Sequence, residues 1–259
     1  MKAVILCGGL GTRIRDVSEV LPKPMLPIGN KPILWHIMKI YAAHGVRDFV
    51  LCLGYKGWII KEFFLNYHAM TSDVTITLDK KESVVFHDNH SIEDWRVTLV
   101  HTGEDAATGA RIWRARRYLE DCEYFSVTYG DGLADINVSD LVREHKSSDL
   151  MATITGVRPT GRFGEIELKG KKITELNEKP NVSRGLINGG FMMFKREVIY
   201  KYFDDQCDLI LENDVLGRLV KDGQLGVYKH FGYWQCVDTL REYNQLNELW
   251  TAEKAPWKV

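Results

Sequence analysis

The segment that most restricts the fold stands at the start: Ala3–Cys7 reads Ala-Val-Ile-Leu-Cys with no polar residue, and Gly8-Gly9 follow at once. A strand with one wet face alternates apolar and polar residues. A short continuous apolar run instead suits a strand covered on both faces, as in a parallel sheet. Parallel neighbours need a crossover connection, usually a helix. Ile33–His44 supplies one, with Ile33, Ile37, Ile40 and Tyr41 on one face and Gly45 placed to stop it. Asp48–Leu53 is a second buried strand and Trp58–Tyr67 a second amphipathic helix. Strand, helix, strand, helix at this spacing predicts an α/β fold built on a doubly wound, mainly parallel sheet with right-handed crossovers.

Further along, Val74–Leu78, Ser83–Phe86 and Val97–His101 read as strands, and the polar stretch Lys80–Asp94 as an excursion outside the main sheet. Ala110–Leu119 reads as a helix with a basic exposed face, and Tyr124–Tyr129 as a buried strand ending at Gly130-Asp131-Gly132. A helix over Asn137–His145 and a strand over Met151–Val157 follow. The second half has more hairpin character: Gly164–Leu168 and Ile173–Glu178 flank a tight turn at Gly170-Lys171. Asn188–Phe194 and Gly226–His230 are expected as strands, Ile210–Lys221 and Thr239–Trp250 as helices. The 259 residues then form one compact α/β unit with a β-rich insertion or lid.

Charge and cysteine content narrow the partners. Hydrophobic residues make up 45% and the formal net charge is −1, so a sizeable core is available without a broad basic surface, and nucleic acid is disfavoured as a partner. Cys7, Cys52, Cys122, Cys207 and Cys236 are dispersed, and no pair has the spacing of a zinc or redox motif; buried reduced thiols in a cytoplasmic protein are expected. The first residues, Met1–Gly9, lack the pattern of a signal peptide, and no apolar run approaches the ~20 residues that span a bilayer.

Several short motifs point to phosphate chemistry. Gly8-Gly9-Leu10-Gly11-Thr12-Arg13 follows the first strand, where ligands bind in an open parallel sheet. Glycines there let backbone N–H groups approach phosphate oxygens, and Arg13 can add a charge-assisted clamp. The glycine spacing matches neither the dinucleotide fingerprint nor the Walker pattern. In Leu21-Pro22-Lys23-Pro24-Met25 two prolines hold the chain extended around a lysine, a candidate phosphate ligand. Asp131, between two glycines at a strand end, is an economical magnesium ligand or else a turn residue. Asp238, just before a helix, offers a second carboxylate or else an N-cap. Glu178-Lys179-Pro180 and Asn188-Gly189-Gly190 could hold a second phosphate and a polyol.

Taken in order, these motifs strongly resemble the sugar-1-phosphate nucleotidyltransferases over essentially the whole chain. The resemblance implies a Rossmann-like, mainly parallel sheet flanked by helices, with a smaller β-rich sugar-binding or lid part. Residues 1–150 would mainly hold the nucleotide and 151–259 mainly the sugar phosphate. It implies that Gly8, Gly9, Gly11, Thr12 and Arg13 embrace the triphosphate with Leu6 and Gly130 beside them, that Lys23 contacts phosphate, and that Thr108, Gly109 and Arg111 lie near the nucleotide. Asp131 and Asp238 would ligate Mg²⁺. Lys179 would bind the sugar phosphate, with Glu178, Asn188 and Gly189 around the sugar and Tyr129 near the reacting groups. Arg13, Lys23 and Asp131 would carry the catalysis, and a homo-oligomer is expected. Lys31–Met38, Gly161–Gly164, Tyr233–Gln235, Asp238–Arg241 and Lys254–Lys258 resemble, more narrowly, the branch that joins CTP to glucose 1-phosphate. The same fold acting with UTP, dTTP or another phosphorylated acceptor, or a sugar-nucleotide-binding regulator without turnover, remain alternative readings. Ala110, where the family has a second glycine, and the divergent Asp204–Asp208 stretch are the departures nearest to substrate choice.

Overall fold

Every residue of β1 (Lys2–Cys7) is buried, and its side chains divide between two layers. Ala3, Ile5 and Cys7 join a core with the helix Ile33–Ala43, while Val4 and Leu6 join a second core with the helix Thr108–Ala115. A period of two within an all-apolar run is the physical mark of a strand between helical layers. The computed structural model describes residues 1–9, 20–78, 83–87, 93–159, 165–169, 172–177 and 185–259, with the backbone alone for 165–169 and 172–177.

The first half continues with β2 (Pro27–Ile28), β3 (Lys31–Pro32), β4 (Asp48–Leu53), β5 (Val74–Thr77), β6 (Ser83–Phe86), β7 (Arg96–His101), β8 (Tyr124–Tyr129) and β9 (Gly132–Ala134). The second half adds β10 (Ala152–Val157), β11 (Glu165–Lys169), β12 (Lys172–Asn177), β13 (Ile187–Lys195), β14 (Leu225–His230) and β15 (Trp234–Cys236). Seven strands form the central sheet in the order β14-β10-β13-β8-β1-β4-β7. Every pairing is parallel except those of β13 with β10 and β8. The expected mainly parallel α/β sheet is therefore present, and both halves of the chain contribute strands to it. The expected hairpin is the separate ribbon β11-β12; its turn lies outside the described residues. The strands expected at Val74–Leu78 and Ser83–Phe86 pair as a second separate ribbon, β5-β6, while residues 80–82 and 88–92 of the expected excursion lie outside the described residues.

One chain of polar groups crosses the sheet. Tyr41 and Ser126 share a hydrogen bond of 2.8 Å, and the Ser126 hydroxyl donates to Met192 O at 2.9 Å, tying the Ile33–Ala43 helix to β8 and β13. Gly45, at φ +80°, ends that helix as its placement suggested.

Two helices differ from expectation. The α-helix expected over Ile210–Lys221 is a π-helix at Leu211–Leu216 followed by one α-turn at Gly217–Lys221. Its entry is tied sideways: Cys207 O accepts from Ala107 N, Leu209 O from Gly109 N and Ala110 N, and Leu211 N donates to Thr108 Oγ1. The helix expected over Ala110–Leu119 is Thr108–Ala115 with a 3₁₀ turn at Arg116–Tyr118, and Arg111 on it is buried rather than part of a basic exposed face.

The C-terminal tail closes the first core. Trp257 is 1% exposed and stacks on Tyr233 with ring centroids 5.6 Å apart, beside Leu246 and Ala255. Its indole nitrogen has no hydrogen-bond partner among the described residues. We therefore expect Trp257→Ala to cost about 3–5 kcal/mol, and Trp257→Phe clearly less, because only ring volume is lost. Urea unfolding curves check this; equal stability of Trp257→Ala and the parent would show that the tail is not part of the core.

Candidate active site

The parallel pairing of β1 with β8 sets Leu6 opposite Tyr129, so Cys7-Gly8-Gly9 and Gly130-Asp131 leave the same edge of the sheet side by side. Gly130 N donates to Leu6 O at 3.1 Å. A Cβ on Gly130 would stand 2.8 Å from Pro24 Cγ and 3.0 Å from Leu6 O, so a side chain there would push these three segments apart. Together they enclose a cavity of about 250 Å³ lined by Leu6, Cys7, Gly8, Gly9, Lys23, Pro24, Ala106, Ala107, Thr108, Arg111, Tyr129, Gly130 and Asp131. Segments more than a hundred residues apart in sequence meet at the carboxyl edge of the strands, where an open α/β sheet places ligands.

The charged centre lies at one side of this cavity. β9 pairs with β15 so that Gly132 faces Cys236, and Val237 N donates to Asp131 O at 2.9 Å. That ribbon brings Asp131 and Asp238 together. Lys23 Nζ lies 2.7 Å from Asp238 Oδ1 and 3.2 Å from Asp131 Oδ2, so both carboxylates converge on one cation-sized point. Burial works against the Lys23 ammonium, but the Asp131 and Asp238 charges more than offset it and raise its pKa. Burial pushes the Asp131 carboxyl up; Lys23 opposes that shift and the like charge of Asp238 adds to it. The N-cap role that Asp238 could have filled belongs to Thr239, which forms a capping box with Glu242. Glu242 also accepts from Asp238 N at 2.8 Å, which fixes the Asp238 backbone while its carboxylate turns to Lys23.

Arg111 reaches the cavity wall but directs its guanidinium into the sheet edge. Nη1 donates to Leu53 O, Thr102 Oγ1 and Gly103 O at 3.3, 2.9 and 2.7 Å, and Nη2 to Gly8 O and Glu104 O at 3.0 and 3.1 Å. A Cβ on Gly8 would fall 2.1 Å from Arg111 Cζ, and one on Gly54 2.4 Å from its Nη1. Gly8 is thus small because a buried guanidinium packs on it. Gly109 packs against Leu209, whose Cγ would be 2.9 Å from an added Cβ, and it does not line the cavity.

The Asn188-Gly189-Gly190 stretch of β13 lies against Tyr129. Asn188 Oδ1 accepts from Gly190 N at 2.9 Å, and Gly190 holds φ +85°. An added Cβ on Gly190 would be 2.6 Å from the Tyr129 ring, and Trp234 Nε1 supports this part of β13 by donating to Gly189 O at 2.7 Å. The Tyr129 hydroxyl donates to Glu212 and has its pKa raised by burial and by that charge. Cys7, on the cavity wall, is held as a thiol by burial, which pushes its pKa well up, as it does for Cys52, to about 12. Gly11, Thr12, Arg13, Glu178 and Lys179 lie outside the described residues.

Sequence reasoning missed Pro24, Ala106 and Ala107 as wall residues, and Glu212 and Trp234 as supports. Trp234-Gln235 stood inside a motif already singled out; Glu212 sits in an acidic stretch, Glu212-Asn213-Asp214, that gives no local sign of its partners. Among the described residues no three His, Cys, Asp or Glu side chains cluster as a protein-only metal cage, and no helix is long and apolar enough to cross a membrane.

The Nucleotidyl transferase family model matches residues 2–253. A glucose-1-phosphate cytidylyltransferase of Salmonella typhimurium is 45% identical over 259 residues, covering 100% of this chain and 99% of that protein. A probable glucose-1-phosphate cytidylyltransferase of Bacillus subtilis is 41% identical, with 100% of both chains covered. The crystal structure of HddC from Yersinia pseudotuberculosis superposes with a TM-score of 0.69 at 25% identity, over 96% of this chain and 99% of that one. With a shared fold and a match along almost its whole length, this chain belongs to the nucleotidyl transferase family.

Proposed function

We propose that the chain joins CTP and α-D-glucose 1-phosphate to give CDP-glucose and pyrophosphate. The observation that carries this reading is the meeting of Lys23, Asp131 and Asp238 beside a cavity floored by Gly8 and Gly9. Full-length similarity to glucose-1-phosphate cytidylyltransferases supports the choice of base and sugar.

A sugar-phosphate oxygen forms the new bond to the α-phosphorus as the bond to the β-phosphate oxygen breaks, and its electron pair leaves with pyrophosphate. The nucleophile is already an anion at neutral pH, so the site needs no general base. The cavity is consistent with that: Tyr129 and Cys7 have pKa values pushed up and stay protonated. What must be overcome is the repulsion of two anions. Asp131 and Asp238 would hold a magnesium ion: two oxygens converging on one point suit a hard cation that takes its remaining ligands from water and phosphate. Bound there, Mg²⁺ would neutralise charge on the triphosphate. Lys23, within reach of both carboxylates and the cavity, would balance charge on the phosphates, aided by Arg13. Lys179 and Glu178, with Asn188 and Gly189, would seat the sugar phosphate, and Gly11 and Thr12 would complete the triphosphate loop. Thr108, on the cavity wall, would lie near the nucleotide. Arg111 would act by positioning, holding Gly8 in place from behind.

The deciding experiment is pyrophosphate release with Mg²⁺, glucose 1-phosphate and each of CTP, UTP, dTTP and ATP. Preferential turnover of CTP is expected; silence with every triphosphate would overturn the reading. Asp131→Ala should lower turnover on the order of 10²-fold or more, with an unchanged melting temperature because Lys23 keeps Asp238 as its partner. Near-normal turnover by that variant would refute the assignment of Asp131. Arg111→Met removes the buried donor that meets Gly103 O and Glu104 O and should cost about 3 kcal/mol in urea unfolding. A variant as stable as the parent would show that the guanidinium does not hold the sheet edge together.

A further inference from the structure

Glu212 lies behind the cavity wall, at the second position of the π-helix Leu211–Leu216, and is not among the lining residues. Both of its carboxylate oxygens are taken by side chains that do line it: Oε1 accepts from the Tyr129 hydroxyl, and Oε2 from Thr108 Oγ1 at 2.9 Å. No cation pairs with Glu212 among the described residues. A carboxylate can only accept hydrogen bonds, so the two hydroxyls must give it their hydrogens. Thr108 Oγ1 also accepts from Leu211 N at 2.9 Å, which fixes its rotor further.

The surrounding frame prevents relaxation. Tyr129 is confined on its other side by Gly190, and the strip Cys207–Leu211 is stitched to Ala107–Ala110 by backbone hydrogen bonds of 2.8 to 3.1 Å. Each hydroxyl is left with acceptor lone pairs only.

We propose that Glu212, by orienting the Tyr129 and Thr108 hydroxyls, makes this wall of the cavity accept hydrogen bonds but not donate them, so that it selects a ligand bringing an N–H or O–H. The inference rests on the cytidylyltransferase reading and deepens it. Two groups of the substrates fit: the 4-amino group of cytosine, replaced in uracil by a carbonyl, and a sugar hydroxyl. A wall of fixed acceptors would meet the uracil carbonyl with repulsion, and a site built around one hydrogen bond strongly rejects an analogue that cannot make it.

Glu212→Gln tests this. Its amide donates where the carboxylate accepted, so one hydroxyl must turn its hydrogen toward the cavity. Tyr129→Phe, which removes one hydroxyl without removing the ring, serves as the second variant. In each, CTP and UTP binding with Mg²⁺ is measured by calorimetry, and kcat/KM is measured for CTP against UTP and for glucose 1-phosphate against its monodeoxy analogues. If the partner is the cytosine amino group, the preference for CTP falls about tenfold, the equivalent of one hydrogen bond. If it is a sugar hydroxyl, the preference for glucose 1-phosphate falls while the CTP to UTP ratio holds. An equal loss for every substrate, with both ratios unchanged in both variants, overturns the proposal and leaves Glu212 a purely structural residue. Absence of turnover with CTP by the unmodified protein would sink the cytidylyltransferase reading instead, and the CTP to UTP binding ratio would still judge Glu212. Failure of the unmodified protein to bind either nucleotide would overturn both.

Discussion

The guanidinium of Arg111 resolves a difficulty that every parallel sheet has at its carboxyl edge. Where strands end side by side the ladder stops and the carbonyls beyond it need other donors, while a ligand site there cannot be covered by more secondary structure. Here Gly8 O, Leu53 O, Gly103 O and Glu104 O, together with the Thr102 hydroxyl, are gathered by one buried cation. β1, β4 and the segment after β7 are thereby locked in relation to one another, and the backbone of Gly8 is presented to the cavity from a rigid support. Buried hydrogen bonds to a charged group are strong, and they are costly to leave unmade.

On the other side of the same cavity the charges balance locally. One lysine stands between two aspartates that are largely screened from water. The arrangement rests on β9-β15, a ribbon of three residues per strand outside the main sheet, and on a 3₁₀ turn, Lys23–Met25, that follows Pro22 and contains Pro24, in place of the expected extended chain. These are small elements, yet each is anchored: Val237 N on Asp131 O, Gly130 against Pro24, Glu242 on the backbone of Asp238. Electrostatic preorganisation depends on such supports, because a charge that must reorganise during reaction loses much of its effect.

Much of this was legible along the chain. The unbroken apolar run of β1 required helices on both faces, and the two cores are the result. Gly45 ended its helix, and Lys23, Asp131 and Asp238, which the structure brings together, stood out by their placement next to prolines, glycines and a helix start. Other features were not, because they depend on what arrives from elsewhere. Arg111 looks from its helical neighbourhood like a surface cation, and only the folding of β1, β4 and β7 around it reveals a buried clamp. The π-turn at Leu211–Leu216 has a helical composition; its tethering to Ala107–Ala110 is a tertiary event. Tyr129 and Thr108 were each read as facing a substrate, and the carboxylate they share was invisible because it lies 83 residues from one and 104 from the other.

The sequence by itself determined the layered α/β architecture, the edge of the sheet at which the cavity opens, and the residue types gathered around it. Those follow from apolar periodicity and from the backbone freedom of glycine and proline, which act over a few residues. Only the tertiary structure decided which charges touch, which glycines are small for packing, and where the hydroxyl hydrogens of the cavity point. Those outcomes follow from distances between segments far apart in the chain, and short-range pattern carries no information about them.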